Sequence, residues 1–222
     1  MDETKMPATE LANSDDRASS LAELRRRLRN ERPPLLLALA EDARAFSARR
    51  GERFQFDSRL GKWLNVLRLA WAADDYLGLA MYRVRTALQG AGIPVLPRLL
   101  HILSGVLYGI RIGDAVLLRE GIYIPHGQVV IDGLVIVGRR CVLAPWTTLG
   151  VIQGRVLGPR LGDNVFVGTG AKVLGDVEVG AGAKIGANAV VVSDVPAGAT
   201  VVGIPAQAIQ TQPDADETAG ER

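Results

Sequence analysis

Few side chains in this sequence can do chemistry at neutral pH: the 222 residues hold two His and one Cys. His126, in IPHGQVV, is the main candidate. An imidazole titrates near neutrality, so it can take a proton from a hydroxyl; the alternative is a turn His that bonds a backbone carbonyl. His101 lies in an apolar helical pattern and reads as a structural residue satisfied by hydrogen bonds. Cys141 stands alone, which excludes an internal disulfide and a CxxC metal site. The two His and the Cys are too far apart for metal-ligand spacing, so no metal is expected. No Ser-His-Asp order and no nucleophile elbow occur. GTGAKVLG and GAGAKIGA are Gly-rich, but neither is a GxGxxG after a strand nor a P-loop. Lys172 and Lys184 point outward by the period, either to meet a phosphate or only to stay solvated.

The elements that must position these groups repeat every six residues. Residues 161–196 divide into LGDNVF, VGTGAK, VLGDVE, VGAGAK, IGANAV and VVSDVP. Each hexad opens with an aliphatic residue (Leu161, Val167, Val173, Val179, Ile185, Val191), and the fifth position is small or apolar. Neither a strand nor a helix sustains a strict six; this is the period of a hexapeptide β-helix. Three hexads make one triangular coil, and the opening aliphatic residues stack inward from coil to coil. The repeat begins less regularly at Ile112, Leu118, Ile124 and Val130, then slips by one residue to Val137, Leu143 and Leu149. Residues 151–160 lack it and are expected to leave the coil as a loop, the kind of place where function sits on a rigid scaffold.

Ahead of the repeat the pattern is helical. Residues 1–18 are polar and acidic, expected to be disordered. A helix is expected from Ser19 or Ser20, another from Pro34 to Arg49, then a polar linker over 51–61 with Phe54 and Phe56 alternating. Further helices follow over about 62–73, 76–89 and 97–108. The fold class expected is α+β: a helical cap domain over 19–108 on one end of a β-helix domain over 109–209, with a disordered tail over 210–222. A solenoid end exposes unpaired backbone and core, and the helices would cover it.

Composition agrees with that division. Hydrophobic residues make 48% of the chain and aromatics 5%, which suits a core of Val, Ile, Leu and Ala. A net charge of +2 gives no field for nucleic acid. The first ten residues lack the apolar run of a signal peptide, and the apolar stretch 99–110 is too short and too interrupted to span a membrane. The expected location is the cytoplasm.

The stretch from Gly121 to Ile209 resembles the hexapeptide-repeat acyltransferases and is most similar to serine O-acetyltransferases. The runs that carry the likeness are GIYIPHGQVVIDG, TTLG at 147–150, GPRLGDNVFVGTGAKVLGDVEVG and GAGAKIGANAVVVSDVPAGATVVGIPA, about 90 of the 222 residues. MYRVRTALQGAGIPVLPRLL resembles more loosely the N-terminal part of short serine acetyltransferase-like proteins. The resemblance implies a left-handed parallel β-helix, an exception to the right-handed crossover rule. It also implies a homotrimer or a dimer of trimers, with acetyl-CoA as co-substrate in the groove between neighbouring prisms. His126 matches the family's catalytic His, which deprotonates an acceptor hydroxyl for direct attack on the thioester, the oxyanion being met by backbone N–H groups or a nearby donor. Gly168, Ala171, Lys184 and Ala187 match positions that line the CoA arm.

Three positions depart from the family. Arg111 stands where the family has the Asp that orients its His, Pro125 where it usually has Asp, and Gly158 where it has a second His. Asp132 or Glu120 could orient His126 from an adjacent coil, and Gln128 could bond an acceptor. The reading that follows is an acetyl-CoA-dependent O-acetyltransferase acting on L-serine, as in cysteine biosynthesis, or on another hydroxyl; Arg111 and Gly158 count against L-serine. The alternatives are a sugar or polysaccharide O-acetyltransferase with His126 as sole base, and a catalytically impaired trimeric scaffold.

Overall fold

The aliphatic residues of the repeat stack in three columns. In the computed structural model, which describes residues 14–52 and 58–209, Ile112, Ile131, Leu149, Val173 and Val191 form the first column. Leu118, Val137, Leu161, Val179 and Val195 form the second. Ile124, Leu143, Val167, Ile185 and Val201 form the third, and every member of the three columns is buried.

Each column is the inner face of one sheet. The first sheet contains β1 (Ile110–Ile112), β3 (Val129–Ile131), β6 (Thr148–Gly150), β9 (Lys172–Leu174) and β12 (Val190–Val191). The second contains β2 (Leu117–Leu118), β4 (Leu134–Val137), β7 (Leu157–Leu161) and β10 (Glu178–Val179). The third contains β5 (Val142–Leu143), β8 (Phe166–Val167), β11 (Lys184–Ile185), β13 (Thr200–Val202) and β14 (Gln207–Ile209). All pairings are parallel except that of β14, which folds back antiparallel on β13.

The coil repeats every 18 residues, as from Ile131 to Leu149 or Leu161 to Val179. Two irregularities correct the sequence reading. The first turn of the coil takes 19 residues, Ile112 to Ile131. Val130, expected inward, is 42% exposed, while Val129 and Ile131 are buried. The slip therefore falls between Ile124 and Ile131, and His126, Gly127 and Gln128 absorb the extra residue with φ of 58°, 65° and 59°. Gly127 is required there: a Cβ would lie 2.1 Å from the Tyr108 carbonyl oxygen. The expected loop over 151–160 is also shorter. Residues 151–156 leave the coil, but Leu157–Leu161 is β7, paired with β4 and β10, because Leu161 must fill its place in the second column.

Among the described residues five helices precede the coil: α1 (Ser14–Asn30), α2 (Leu35–Arg49), α3 (Arg59–Ala72), α4 (Asp74–Gly90) and α5 (Leu96–Leu107). Helix α1 starts at Ser14, five residues ahead of the expected Ser19. The rest of the expected disordered start (1–13), the tail over 210–222, and Phe54 and Phe56 lie outside the described residues. Ser58 caps α3 by accepting from Gly61 N at 3.0 Å, as a Ser N-cap does. Phe46, Leu69, Tyr76 and Leu79 are buried in one core with Ile110, Ile122 and Ile124, so the helices close the first coil. Helix α1 lays Leu21, Leu24 and Leu28 over Leu117 and Leu134 of the second sheet. Among the described residues no helix is long and apolar enough to cross a membrane.

Candidate active site

The turns that join the third sheet to the first stack into one edge of the prism. His126-Gly127-Gln128 lies in the first coil, Pro145-Trp146 in the second, Thr169-Gly170 in the third and Ala187-Asn188 in the fourth. Trp146 N donates to Gln128 O, Gly170 N to Pro145 O, and Asn188 N to Thr169 O, each at 2.8 Å. Successive turns are thus one strand spacing apart, about 4.8 Å.

The His126 turn is held from three sides. Its backbone N donates to Asp75 Oδ2 at 3.1 Å, and Asp75 Oδ1 accepts from Tyr76 N at 3.1 Å. Asp75 belongs to the first turn of α4, where the helix dipole favours a carboxylate. Gln128 N donates to Tyr108 O at 3.1 Å, past the end of α5, and Gln128 O receives Trp146 N. The His126 side chain is exposed, and its ring makes no hydrogen bond with another described residue. An exposed imidazole on a fixed backbone is free to meet a hydroxyl.

Neither expected orienting group hydrogen-bonds the His126 ring among the described residues. Glu120 accepts from Arg139 Nε at 2.7 Å. Asp132 Oδ1 packs over Gly113, only 2.6 Å from where a Cβ would stand. Arg111 lies along Gly105 of α5. Gly158 sits in β7 of the second sheet, where a Cβ would come within 2.6 Å of Val135 Cγ2, so the position admits no side chain as packed.

The four residues matched to the CoA arm divide by environment. Ala187 is exposed on the turn edge, and Lys184 is exposed on β11 of the adjoining third sheet. Gly168 is buried beneath the next coil: a Cβ would lie 2.7 Å from Ala187 N, so stacking alone demands glycine. Ala171 is 0% exposed, with its methyl in the core, and presents only backbone. The remaining candidates are structural. Lys172 Nζ donates to Trp146 O at 2.7 Å. His101 Nδ1 contacts the Arg85 guanidinium, and burial together with that charge holds its pKa below the usual imidazole value. Cys141 is buried, and burial pushes its thiol up to about 12.

Two residues of the edge escape a reading by period. Asp75 sits 51 positions before His126 and looks like an ordinary helix-start carboxylate. Trp146 was signalled only by comparison between hexads: it fills a turn place that Gly170 and Asn188 fill in later coils.

A family model for the bacterial transferase hexapeptide (six repeats) matches residues 158–193. Over 149 residues the chain is 42% identical to the serine acetyltransferase of Synechococcus elongatus, covering 65% of this chain and 61% of that one. Over 135 residues it is 41% identical to the serine acetyltransferase of Helicobacter pylori, covering 59% of this chain and 78% of that one. A solved serine acetyltransferase in complex with CoA superposes with a TM-score of 0.65 at 28% identity, covering 89% of this chain and 79% of that one. The match therefore spans about three fifths of the cyanobacterial relative's length.

Proposed function

The chain belongs to the serine acetyltransferase family, and we propose that it moves the acetyl group of acetyl-CoA onto the hydroxyl of a small acceptor, with His126 as general base. The observation that carries this reading is the exposed, unengaged ring of His126 on the edge that Ala187 shares, with Lys184 on the strand beside it. In the reaction a His126 ring nitrogen accepts the hydroxyl proton while the oxygen attacks the thioester carbonyl carbon. The C–S bond then breaks, and the CoA thiolate leaves and takes the proton from the imidazolium. General base catalysis of this kind contributes about 10²–10⁴-fold.

The co-substrate would lie along the turn edge, one coil after another, away from His126. Lys184 suits its phosphates, and the turn N–H groups of Thr169 and Ala187, unpaired among the described residues, suit its amide carbonyls. Gly168 and Ala171 would act there through backbone alone. The proposal includes a left-handed coil, a helical cap over 19–108 on a coil over 109–209, and a homotrimer or dimer of trimers whose neighbouring prism completes the groove. A lone, buried thiol fits the reducing cytoplasm.

The test is thiol release from acetyl-CoA at neutral pH with L-serine and a panel of sugars, for wild type beside His126→Ala. Release with one acceptor that drops about 10²-fold or more in the variant supports the reading. Equal rates in the two proteins refute His126 as base, and no release from wild type refutes transfer and leaves the scaffold alternative.

A further inference from the structure

Trp146 takes no part in the acetyl-transfer step, yet the fold holds it at that site at a cost. Its φ is 65°, a left-handed conformation that bulky L residues avoid. The same place in later coils is filled by Gly170 and Asn188, residue types that adopt it readily. Both sides of the Trp146 backbone are pinned, N to Gln128 O at 2.8 Å and O by Lys172 Nζ at 2.7 Å. The indole, by contrast, is left 61% exposed. A strained backbone that is over-determined by its surroundings while its side chain stays free points to a use for the side chain.

The neighbours of the indole indicate that use. The Trp146 turn stands one strand spacing, about 4.8 Å, from the His126-Gln128 turn, whose Gln128 O accepts from Trp146 N. Gln128 is exposed, and its carboxamide both donates and accepts. We propose that Trp146 and Gln128 form the acceptor subsite and that the acceptor is a pyranose. The apolar C–H face of the ring lies on the indole, the carboxamide holds one hydroxyl, and His126 meets the hydroxyl that is acetylated. Ligand sites combine a flat apolar wall with a few placed polar groups in this way. A free amino acid such as serine has no apolar face to lay on an indole. The adenine of CoA would bind toward the opposite end of the edge, two coils beyond Trp146 at the level of Lys184 and Ala187.

The inference rests on the acetyl-transfer reading, and the experiment separates the two. Acetyl-CoA binding is measured by calorimetry for wild type, Trp146→Asn and Trp146→Phe; Asn removes the indole yet suits the left-handed turn. Thiol release is then measured with methyl pyranosides and with L-serine, and the mass of each assembly in solution is compared. The expected result is turnover of a pyranoside, an acceptor KM raised about 10-fold or more in Trp146→Asn, as loss of an aromatic stacking contact gives, and a smaller rise in Trp146→Phe. Acetyl-CoA affinity and assembly mass stay unchanged. The subsite is overturned if L-serine outperforms every pyranoside, if the indole's loss weakens acetyl-CoA binding, or if it dissociates the assembly. Binding of acetyl-CoA without pyranoside turnover overturns the subsite alone. Failure of wild type to bind acetyl-CoA overturns both readings.

Discussion

Replacing Asp42 by Asn tests how the helices are fixed to the first coil. Asp42 and Arg83 are 1% and 4% exposed. Asp42 Oδ2 accepts from Arg83 Nε at 2.9 Å; Oδ1 accepts from Arg83 Nη2 at 3.2 Å, Gly121 N at 2.8 Å and Ile122 N at 2.9 Å. Arg83 donates onward to Leu118 O at 2.7 Å and Arg119 O at 2.6 Å. The pair thus ties α2 and α4 to the coil just ahead of Ile124 and His126. Asn keeps the shape of Asp, but its NH₂ must face either Arg83 or the two backbone N–H groups, donor against donor, and the guanidinium loses its counter-charge. Breaking one side of a buried pair costs about 3–5 kcal/mol. For a chain of this size that lowers Tm by about 6–20 °C. Thermal unfolding followed by circular dichroism reads the shift. An Asp42→Leu/Arg83→Met double variant removes both charges but strands four backbone groups, so it should stay well below wild type. A Tm drop under about 2 °C for Asp42→Asn, or a double variant as stable as wild type, refutes this account.

Asp75→Ala frees the His126 backbone from α4; kcat should fall about 10-fold with little change in the KM for acetyl-CoA, and Asp75→Asn, which keeps an acceptor oxygen, should recover most of the rate in the same assay. Gly168→Ala should cost about 1–3 kcal/mol by overpacking against Ala187 N, measured by denaturant unfolding without acetyl-CoA; unchanged stability would mean that ligand approach, not stacking, keeps this residue small. Cys141 has a folded pKa of about 12 against an ordinary 9.0. The folded thiol therefore keeps its proton where the unfolded one has lost it, so its stabilisation is complete below pH 9 and declines as pH rises toward 12. The slope is up to about 1.4 kcal/mol per pH unit, and alkaline unfolding of Cys141→Ala should lack it.

The strict hexads made the later coils legible, because one residue in six must fill a stacked column: Leu161, Val167, Val173, Val179, Ile185 and Val191 all point inward. The slip near His126 was misplaced by one step because VVI offers three consecutive aliphatic residues, and only pairing with Ile112 selects Ile131 over Val130. The extent of the loop was overestimated because LGPRL breaks the residue pattern while keeping the strand. His126 is singled out in the sequence by its chemistry, and the structure places its side chain at an exposed turn. Asp75 is not singled out, since its contact is made across the interface between helices and coil, where no local period reports it.

The register also bears on how the chain reaches this fold. Partner strands along the prism are 16 to 24 residues apart, from the Val179–Val195 bridge to the pairing of Val137 with Leu161. Parallel sheets ordinarily wait on distant segments and form slowly, since loop closure must precede any contact that rewards it. Here every closure is short and nearly the same length, so a coil can wind onto whichever neighbour forms first. The distant contacts are those between helices and coil, such as the docking of Asp42 and Arg83 beside Gly121 and Ile122, about 80 positions from Asp42. The coils thus close over short separations, while the ground beneath His126 depends on contacts that span much longer ones.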